Sequence, residues 1–405
     1  MKERSQRPQA PRGMDMPNSR QQSGVLFAHE AAARNGAAMS LLHFSRWFKK
    51  NSPRPFSLLL CVGGDLAPEF ADVTSTWTAS ESHWCPDGIR AQALKAVSLG
   101  SLARRAERAD IRRSAIPYRP GLVYLNAFSR HNFRLIELLD LPVPLLTHVH
   151  DLGILFQSQA GSMTPRILSR TRHFIACSDA VKQYLTTEHK IPSERIDTVH
   201  ESIPVGQTRN ERTREQIFKE FDLAPDAALV VGGGTACWRK GSDIFIQLAR
   251  LVSQQRSNVY FAWIGGGAVQ RLEHDARLLG LSAKMRFTGE VAKPVDYFAA
   301  ADVFAMTSRE DPYPLVCLEA AAVAKPIICF AGAGGMPEFV EADCGFVVPY
   351  LDIESMANRV ITLLDRPDCR TKMGIAARRK VSERHDISVA APRIMEIIEK
   401  TILEG

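Results

Sequence analysis

Residues 308–320 read SREDPYPLVCLEA, from Ser308 to Ala320, and place three acids and two prolines around the start of an apolar segment. Phe304 to Met306 closes a short apolar run of strand character, and Thr307 to Asp311 reads as the loop after it. Pro312 and Pro314 suit a rigid entry into a helix over Leu315 to Ala324, with positions 315, 318 and 322 forming its apolar stripe. Glu319 falls beside that stripe, a partly buried position. A buried carboxylate is costly without partners, and ribose hydroxyls are good partners for an ionised one. Asp311, eight residues earlier, lies outside the helix mouth, where it can accept hydrogen bonds from sugar hydroxyls. The amides near Leu315 and Val316 can cradle phosphate between the two acids. A plainer account competes: Glu310 and Asp311 answer the positive helix end, and Glu319 pairs with a nearby base. The place of the segment, after a strand of a second domain, favours the sugar-nucleotide site.

The surrounding pattern is α/β. Strand candidates Val25 to Ala28, Ser57 to Val62, Leu122 to Leu125, Leu145 to His148 and His173 to Ala176 are each followed by a turn or a helical pattern. Ala38 to Phe48 and Gly88 to Arg113 read as helices. A second series runs through Ala227 to Val231, Val259 to Ile264, Lys284 to Phe287, Val303 to Met306, Pro326 to Phe330 and Phe346 to Val348. Two sheets explain this better than one of more than ten strands. The expected organisation is two Rossmann-like α/β domains facing across a cleft: a disordered lead over 1–20, an acceptor-side domain over 21–205, a linker over 206–225 with a charged helix from Glu211, and a nucleotide-sugar domain over 226–385. A closing helix over 386–405 is placed to pack back on the first domain. Ligands of such sheets bind beyond the strands' carboxyl ends.

Two glycine clusters follow strands of the second series. In VVGGGTACWRKGSDIF (230–245), the turn at Gly232 to Gly234 can aim amides at a phosphate, while Arg239 and Lys240 offer countercharge. A strand–turn–helix with solvated basic residues accounts for it equally well, and it is neither a P-loop nor a dinucleotide fingerprint. At Gly265 to Gly267 a simple tight turn is the better reading. In the first domain, His148 and His150 fall on one side of a strand end. Two histidines so spaced do not make a zinc site without further ligands.

Composition sets the outer bounds. The 405 residues are 45% hydrophobic and 23% charged, with a formal net charge of +7. That excess is small for this length, and no nucleic-acid motif accompanies it, so nucleic acid is not an expected partner. No apolar run approaches a membrane span and no secretory signal is visible, so a cytoplasmic protein is expected. Eight scattered cysteines without a CxxC pair indicate neither zinc nor disulfides. The arginines over 98–120, with Trp47, Phe48, Lys49 and Lys50, fit peripheral contact with the inner, anionic face of a cell membrane. A solvated helix face fits the same arginines.

DPYPLVCLE (311–319) resembles the acid-x7-acid motif of retaining glycosyltransferases of family 4 (glycosyl transferases group 1), which have the GT-B fold. Asp311 stands at the first motif acid and Glu319 at the second; the usual Glu-Gly-Phe-Gly is here Asp311-Pro312-Tyr313-Pro314. Further likeness lies in RFTGEVAKPVDYFAAADVFAMTSRE, GGMPEFVEADCGFVV, HEAAARNGAAMSLLHFSRWF, LLTHVHDLG and CSDAVKQYL, covering about residues 24–385. The resemblance implies Lys240 at the donor phosphates, with Thr235 where the family has arginine and Arg239 as its proposed replacement. It implies Gly234 in the phosphate turn, Gly289 and Glu290 near the donor base, Glu319 on ribose, Asp311 on sugar hydroxyls and Gly36 with Ala37 at the sugar phosphate or acceptor. Glu338 takes the acid of the family's Pro-Glu step. His150, with His148 second, would face the transferred sugar, and Ser178 is at least as good a helix cap as a ligand.

The activity implied is retaining transfer of a hexosyl group from a UDP- or GDP-sugar to a glycan or lipid-linked acceptor in cell-surface polysaccharide synthesis. No cofactor is expected and, without an Asp-x-Asp motif, no metal. An epimerase or phosphorylase of the same architecture, and a non-catalytic sugar-nucleotide-binding protein, are the alternatives.

Overall fold

The computed structural model describes residues 23–79, 108–109, 111–113 and 115–405. The lead at 1–20 and most of the helix expected over 88–113 lie outside them. The first sheet holds β1 (Gly24–Ala31), β2 (Phe56–Val62), β3 (Ser75–Thr78), β4 (Pro120–Asn126), β5 (Leu145–Val149), β6 (Thr171–Ala176) and β7 (Ile196–Thr198), in the order β3-β2-β1-β4-β5-β6-β7. The second holds β8 (Ala228–Gly233), β9 (Val259–Ile264), β10 (Met285–Phe287), β11 (Val303–Met306), β12 (Ile327–Phe330) and β13 (Gly345–Val348), ordered β10-β9-β8-β11-β12-β13. All these strand pairs are parallel; Ala28 lies between Leu59 and Leu125, and Val231 between Ala262 and Phe304. In each sheet the strand order reverses beside the first strand, the place where open α/β sheets part to admit ligands.

Near-continuous apolar runs make these strands, because helices cover both faces of each sheet. Phe27 meets Phe44, Phe48 and Phe56 edge-on at 5.6–5.9 Å between centroids. In the second lobe Phe245 packs against Phe261 and Trp263. Phe48 is thereby fully buried, which corrects its expected place on a lipid-facing surface; Lys49 and Lys50 beside it are exposed. Among the described arginines, Arg108 and Arg112 donate to the carbonyls of Leu138 and Leu139 at 2.8 and 3.0 Å, closing the carboxyl end of the helix Arg130–Leu139.

The chain crosses between lobes twice. Ile203 and the 385–387 segment exchange backbone hydrogen bonds of 3.0 Å. The last helix, Ile387–Glu404, then packs against the helix Gly36–Asn51 and against β4 and β6 of the first sheet. Its Glu399 receives Arg54 Nε at 2.6 Å.

Candidate functional site

The carboxy-terminal wall is set by two loops locked together. Gly241 closes the loop after β8 with φ +64°, and a Cβ there would stand 1.9 Å from the Thr307 carbonyl oxygen. Only glycine permits that approach. Thr307 Oγ1 donates to Gly241 O at 2.8 Å, and Arg309 N donates to Arg239 O at 2.8 Å. The lock carries Lys240 Nζ to 2.5 Å from Asp311 Oδ2 and Arg239 Nη1 to 3.4 Å from Asp311 Oδ1. Ser308 Oγ adds a hydrogen bond to Oδ2 at 3.2 Å. Burial pushes the Asp311 carboxyl up, but the two cations and the hydrogen bonds from Lys240 and Ser308 outweigh it and hold the group below its ordinary range. The Asp311 backbone is fixed as well: its N–H donates to Ala333 O at 2.6 Å. Gly334, at φ +134°, passes so close that a Cβ would meet Asp311 O at 1.8 Å.

From Pro314 the chain enters the helix Leu315–Ala322, whose first amides have no side-chain cap. Glu319 lies one turn inside. Its Oε2 is buried and has no hydrogen-bond partner within the protein, and burial pushes the carboxyl up to about 7. The basic partner that the plainer sequence account required is therefore not supplied at that oxygen. The end of β9 and the glycines after it brace the first glycine loop: Ala236 N donates to Gly266 O at 2.7 Å and Trp263 Nε1 to Gly234 O at 2.9 Å.

On the opposite wall His150 follows β5. Its Nδ1 lies 2.5 Å from Glu201 Oε1 and its Nε2 2.9 Å from Asn126 Oδ1. Ser40 Oγ donates to the other Glu201 oxygen at 2.6 Å. His148 does share the side of His150, with ring centroids 4.0 Å apart, but it lies behind it and bonds Tyr124 OH through Nδ1 at 2.7 Å. Burial, then the neighbouring His150, takes the His148 imidazole well below its usual value.

The lobes meet through two carboxylates. Glu310 Oε2 accepts from Ile154 N at 3.3 Å, at the start of the helix Gly153–Ala160. Glu338 accepts from Asp179 N and Ala180 N at 3.0 and 2.9 Å, at the start of the helix Asp179–Thr187, and bonds His200 Nε2 at 2.8 Å. Ser178 caps that same helix through Val181 N at 3.2 Å.

Between the walls lies a cleft of about 640 Å³. It is lined by Gly36 and His150 from the first lobe and by Gly234, Arg239, Lys240, Glu290, Asp311, Leu315, Val316 and Glu319 from the second. Gly289 is adjacent to the cleft rather than lining it, and pairs with Gly265 in an isolated bridge. Thr235 lines the cleft near Arg239. The sequence reading missed His29 and Asp151, which also line it. Their signal was position, since His29 lies near the carboxyl end of β1 and Asp151 follows His150 just beyond β5. The possible ligand atoms of Cys177, His150 and Glu201 lie within 4.8 Å of one another, and the two Glu201 oxygens are already engaged by His150 and Ser40.

The paired parallel sheets and the interlobe cleft define the GT-B architecture. Solved structures agree over nearly the whole chain. Anabaena HepE in complex with UDP has a TM-score of 0.74 at 20% identity, covering 93% of this chain and 100% of that one. WaaG, a glycosyltransferase involved in lipopolysaccharide biosynthesis, has a TM-score of 0.68 at 15% identity, covering 92% and 99%. Residues 213–380 match the family Glycosyl transferases group 1, and the acid-x7-acid stretch lies inside that segment. Among curated relatives, the GDP-mannose-dependent monoacylated alpha-(1-6)-phosphatidylinositol monomannoside mannosyltransferase of Corynebacterium glutamicum is 31% identical over 172 residues, 40% of this chain and 44% of that protein. The D-inositol 3-phosphate glycosyltransferase of Streptomyces avermitilis is 25% identical over 227 residues, 53% and 49% of the two chains. The chain thus spans about half the length, or less, of these relatives. Among the described residues no helix is long and apolar enough to cross a membrane.

Proposed function

We propose that the chain is a retaining glycosyltransferase that moves a hexosyl group from a UDP- or GDP-sugar to a hydroxyl of a glycan or lipid-linked glycan, in cell-surface polysaccharide or glycolipid synthesis. The observation that carries this reading is the pairing of two acids across one helix start. Asp311 is held ionised by Lys240 and Arg239, and Glu319 is left without a partner at Oε2, both lining the cleft that His150 faces.

In this reading Glu319 accepts from ribose hydroxyls, and the uncapped amides at Leu315 and Val316 meet the diphosphate. Lys240 and Arg239 neutralise the charge that grows on it as the bond from the anomeric carbon to the diphosphate oxygen breaks. Asp311 orients the sugar hydroxyls, and His150, backed by Glu201, faces the sugar ring. The acceptor oxygen bonds to the anomeric carbon on the face that the diphosphate leaves, and the acceptor proton passes to the departing diphosphate oxygen. Attack on the face of departure gives retention, and in this reading Lys240 and Arg239 take the charge-neutralising part of a divalent ion. A lipid-linked acceptor would bring the exposed Lys49 and Lys50 to an anionic bilayer.

The test is a panel of UDP- and GDP-sugars, scored for protection against heat unfolding, for release of nucleotide diphosphate with and without acceptor extract, and for anomeric configuration of the product. One donor should protect and turn over faster with acceptor. Turnover unchanged by acceptor, or dependent on inorganic phosphate, would indicate an epimerase or phosphorylase instead. A folded protein that no nucleotide sugar protects would refute the reading.

A further inference from the structure

Two polar atoms on the amino-terminal wall have no hydrogen-bond partner within the protein: His29 Nε2 and Asp151 Oδ2. Both residues line the cleft, and they are only 2% and 5% exposed. A buried polar atom left unpaired costs about 1–3 kcal/mol, so each such atom calls for a partner that the protein does not supply.

Both atoms have the same chemistry. His29 Nδ1 lies 2.8 Å from the Asn126 carbonyl oxygen, which can only accept, so Nδ1 carries the hydrogen. The Asn126 amide nitrogen is also near, at 3.1 Å, with one of its two hydrogens on Ala37 O at 3.0 Å, and the shorter contact to the acceptor-only carbonyl decides the tautomer. Burial keeps the His29 ring neutral, its value lowered to about 4, and Nε2 is left as a bare lone pair. At Asp151, burial raises the carboxyl to about 6, against the pull of His150 and Arg239, so at neutral pH it too is chiefly an acceptor. Asn126 joins the two: its carbonyl oxygen takes His29 Nδ1 at 2.8 Å and its side-chain oxygen lies 2.9 Å from Nε2 of His150, the residue next to Asp151, so both acceptors fall in one neighbourhood of the cleft. The other charges on this wall are already engaged: Glu30 with His131 at 2.8 Å, Glu201 with His150 and Ser40, and Arg34 with Glu69 at 2.7 Å.

We propose that His29 and Asp151 form the acceptor subsite, and that it receives the hydroxyls of an uncharged glycosyl unit while disfavouring a phosphorylated one. The proposal rests on the glycosyltransferase reading and deepens it by naming the acceptor class. Sugar hydroxyls supply the donors that two lone-pair acceptors lack. A phosphate brings only acceptors and negative charge, and beside Asp151 and Glu30 it meets repulsion. The donor's own anionic groups have their cations on the other wall, at Lys240 and Arg239, which leaves this wall to the second substrate.

The experiment uses the full chain loaded with UDP or GDP, whichever protects it. Methyl α- and β-hexopyranosides and the matching hexose 6-phosphates are compared by saturation-transfer NMR and titration. The neutral glycosides should bind at least about tenfold more tightly than the phosphates. Asp151→Asn and His29→Asn, the latter keeping an N–H toward the Asn126 carbonyl while deleting the Nε2 acceptor, should each weaken glycoside binding about tenfold. Nucleotide affinity should stay within about twofold of the parent and the melting temperature should be retained. Phosphates that bind as well as neutral glycosides, silence of every neutral glycoside on the nucleotide-loaded protein, or nucleotide affinity falling in step with glycoside affinity would overturn the proposal. A chain that binds no nucleotide or nucleotide sugar gives a different result, which removes the glycosyltransferase reading itself and this subsite with it.

Discussion

The two walls of the cleft solve the problem of buried polarity in opposite ways. Around Asp311 the carboxy-terminal wall keeps its charges in pairs before any ligand arrives, with Lys240 and Arg239 on the carboxylate, and Glu319 Oε2, one turn into the helix, is the exception left unpaired. The amino-terminal wall keeps rings and amides in a network through Asn126 and Glu201, and leaves lone pairs on His29 and Asp151 unanswered. A charged ligand can enter the first wall by exchange, because a phosphate oxygen can take up Lys240 while Arg239 and Ser308 still hold Asp311. The second wall is completed by addition, since a hydroxyl meets an acceptor that had nothing. Exchange suits a diphosphate that must also leave; addition suits a neutral partner selected by shape and hydroxyl placement.

The strongest way to break this contrast is Lys240→Met. Turnover of the nucleotide sugar should fall by about a thousandfold, the scale seen when a preorganised group facing developing charge is lost. The substitution also leaves Asp311 buried with weakened compensation, so the protein should lose roughly 3 kcal/mol in chemical denaturation. Adding Asp311→Asn to that variant should restore most of the stability and none of the turnover. If the double variant is no more stable than the single one, the wall is not held by this pair. Next in size is Gly334→Ala. A Cβ cannot fit 1.8 Å from Asp311 O, so the loop must shift, at a cost of more than about 1 kcal/mol. Turnover should drop on the order of a hundredfold, as a misplaced catalytic group implies, while His150 and its partners are untouched.

The carboxy-terminal wall was legible in the sequence because its parts are local. Asp311 and Glu319 lie eight residues apart in one loop and helix, and Arg239, Lys240 and Gly241 lie in one turn. Eleven strand segments were read from apolar runs, the nearest misses being the ends of β1 and β4, which extend beyond the expected residues. What stayed hidden was either short or assembled from far apart. β3 is a four-residue edge strand of polar and half-buried residues and β7 has three residues, so neither shows an apolar run. The His29 acceptor depends on Asn126, 97 residues away, and the His150 contact with Glu201 spans 51. No periodicity reports such contacts. For the same reason Glu338, placed with the donor segment by likeness, is found joining the lobes at Asp179 and Ala180.

Glu319 offers a finer test, through pH. Its carboxyl is raised from 4.5 to about 7 by burial. Between those values the folded protein keeps a proton that the unfolded chain has released, so the stability linked to this group is complete below about 4.5 and falls as pH rises through 7. Glu319→Gln should flatten that part of the profile in urea titrations at pH 5.5 and 8. Nucleotide binding should run the other way, since ribose hydroxyls prefer the ionised carboxylate. UDP or GDP affinity should gain about tenfold from pH 5.5 to 8 in the parent and stay level in the Gln variant, by the free energy that a pKa shift of this size represents. A parent and variant with the same pH slope would remove Glu319 from the ribose site.

The smallest expected effect separates space left for a ligand from space needed by the fold. A Cβ added at Gly36 meets nothing within 4 Å, although the residue opens the helix Gly36–Asn51 and lines the cleft. Gly36→Ala should therefore keep the melting temperature, or raise it slightly, because alanine is the better helix former. If a ligand fills that gap, the methyl group competes with it and affinity should fall about fivefold, by the loss of close contact. Gly334→Ala and Gly36→Ala form a matched pair: the same added methyl group, one against backbone and one against open cleft. Loss of stability in the first and of binding alone in the second is what the two positions require. A Gly36→Ala variant that binds every ligand as the parent does would move the bound molecule away from this helix start and toward the Lys240 side of the cleft.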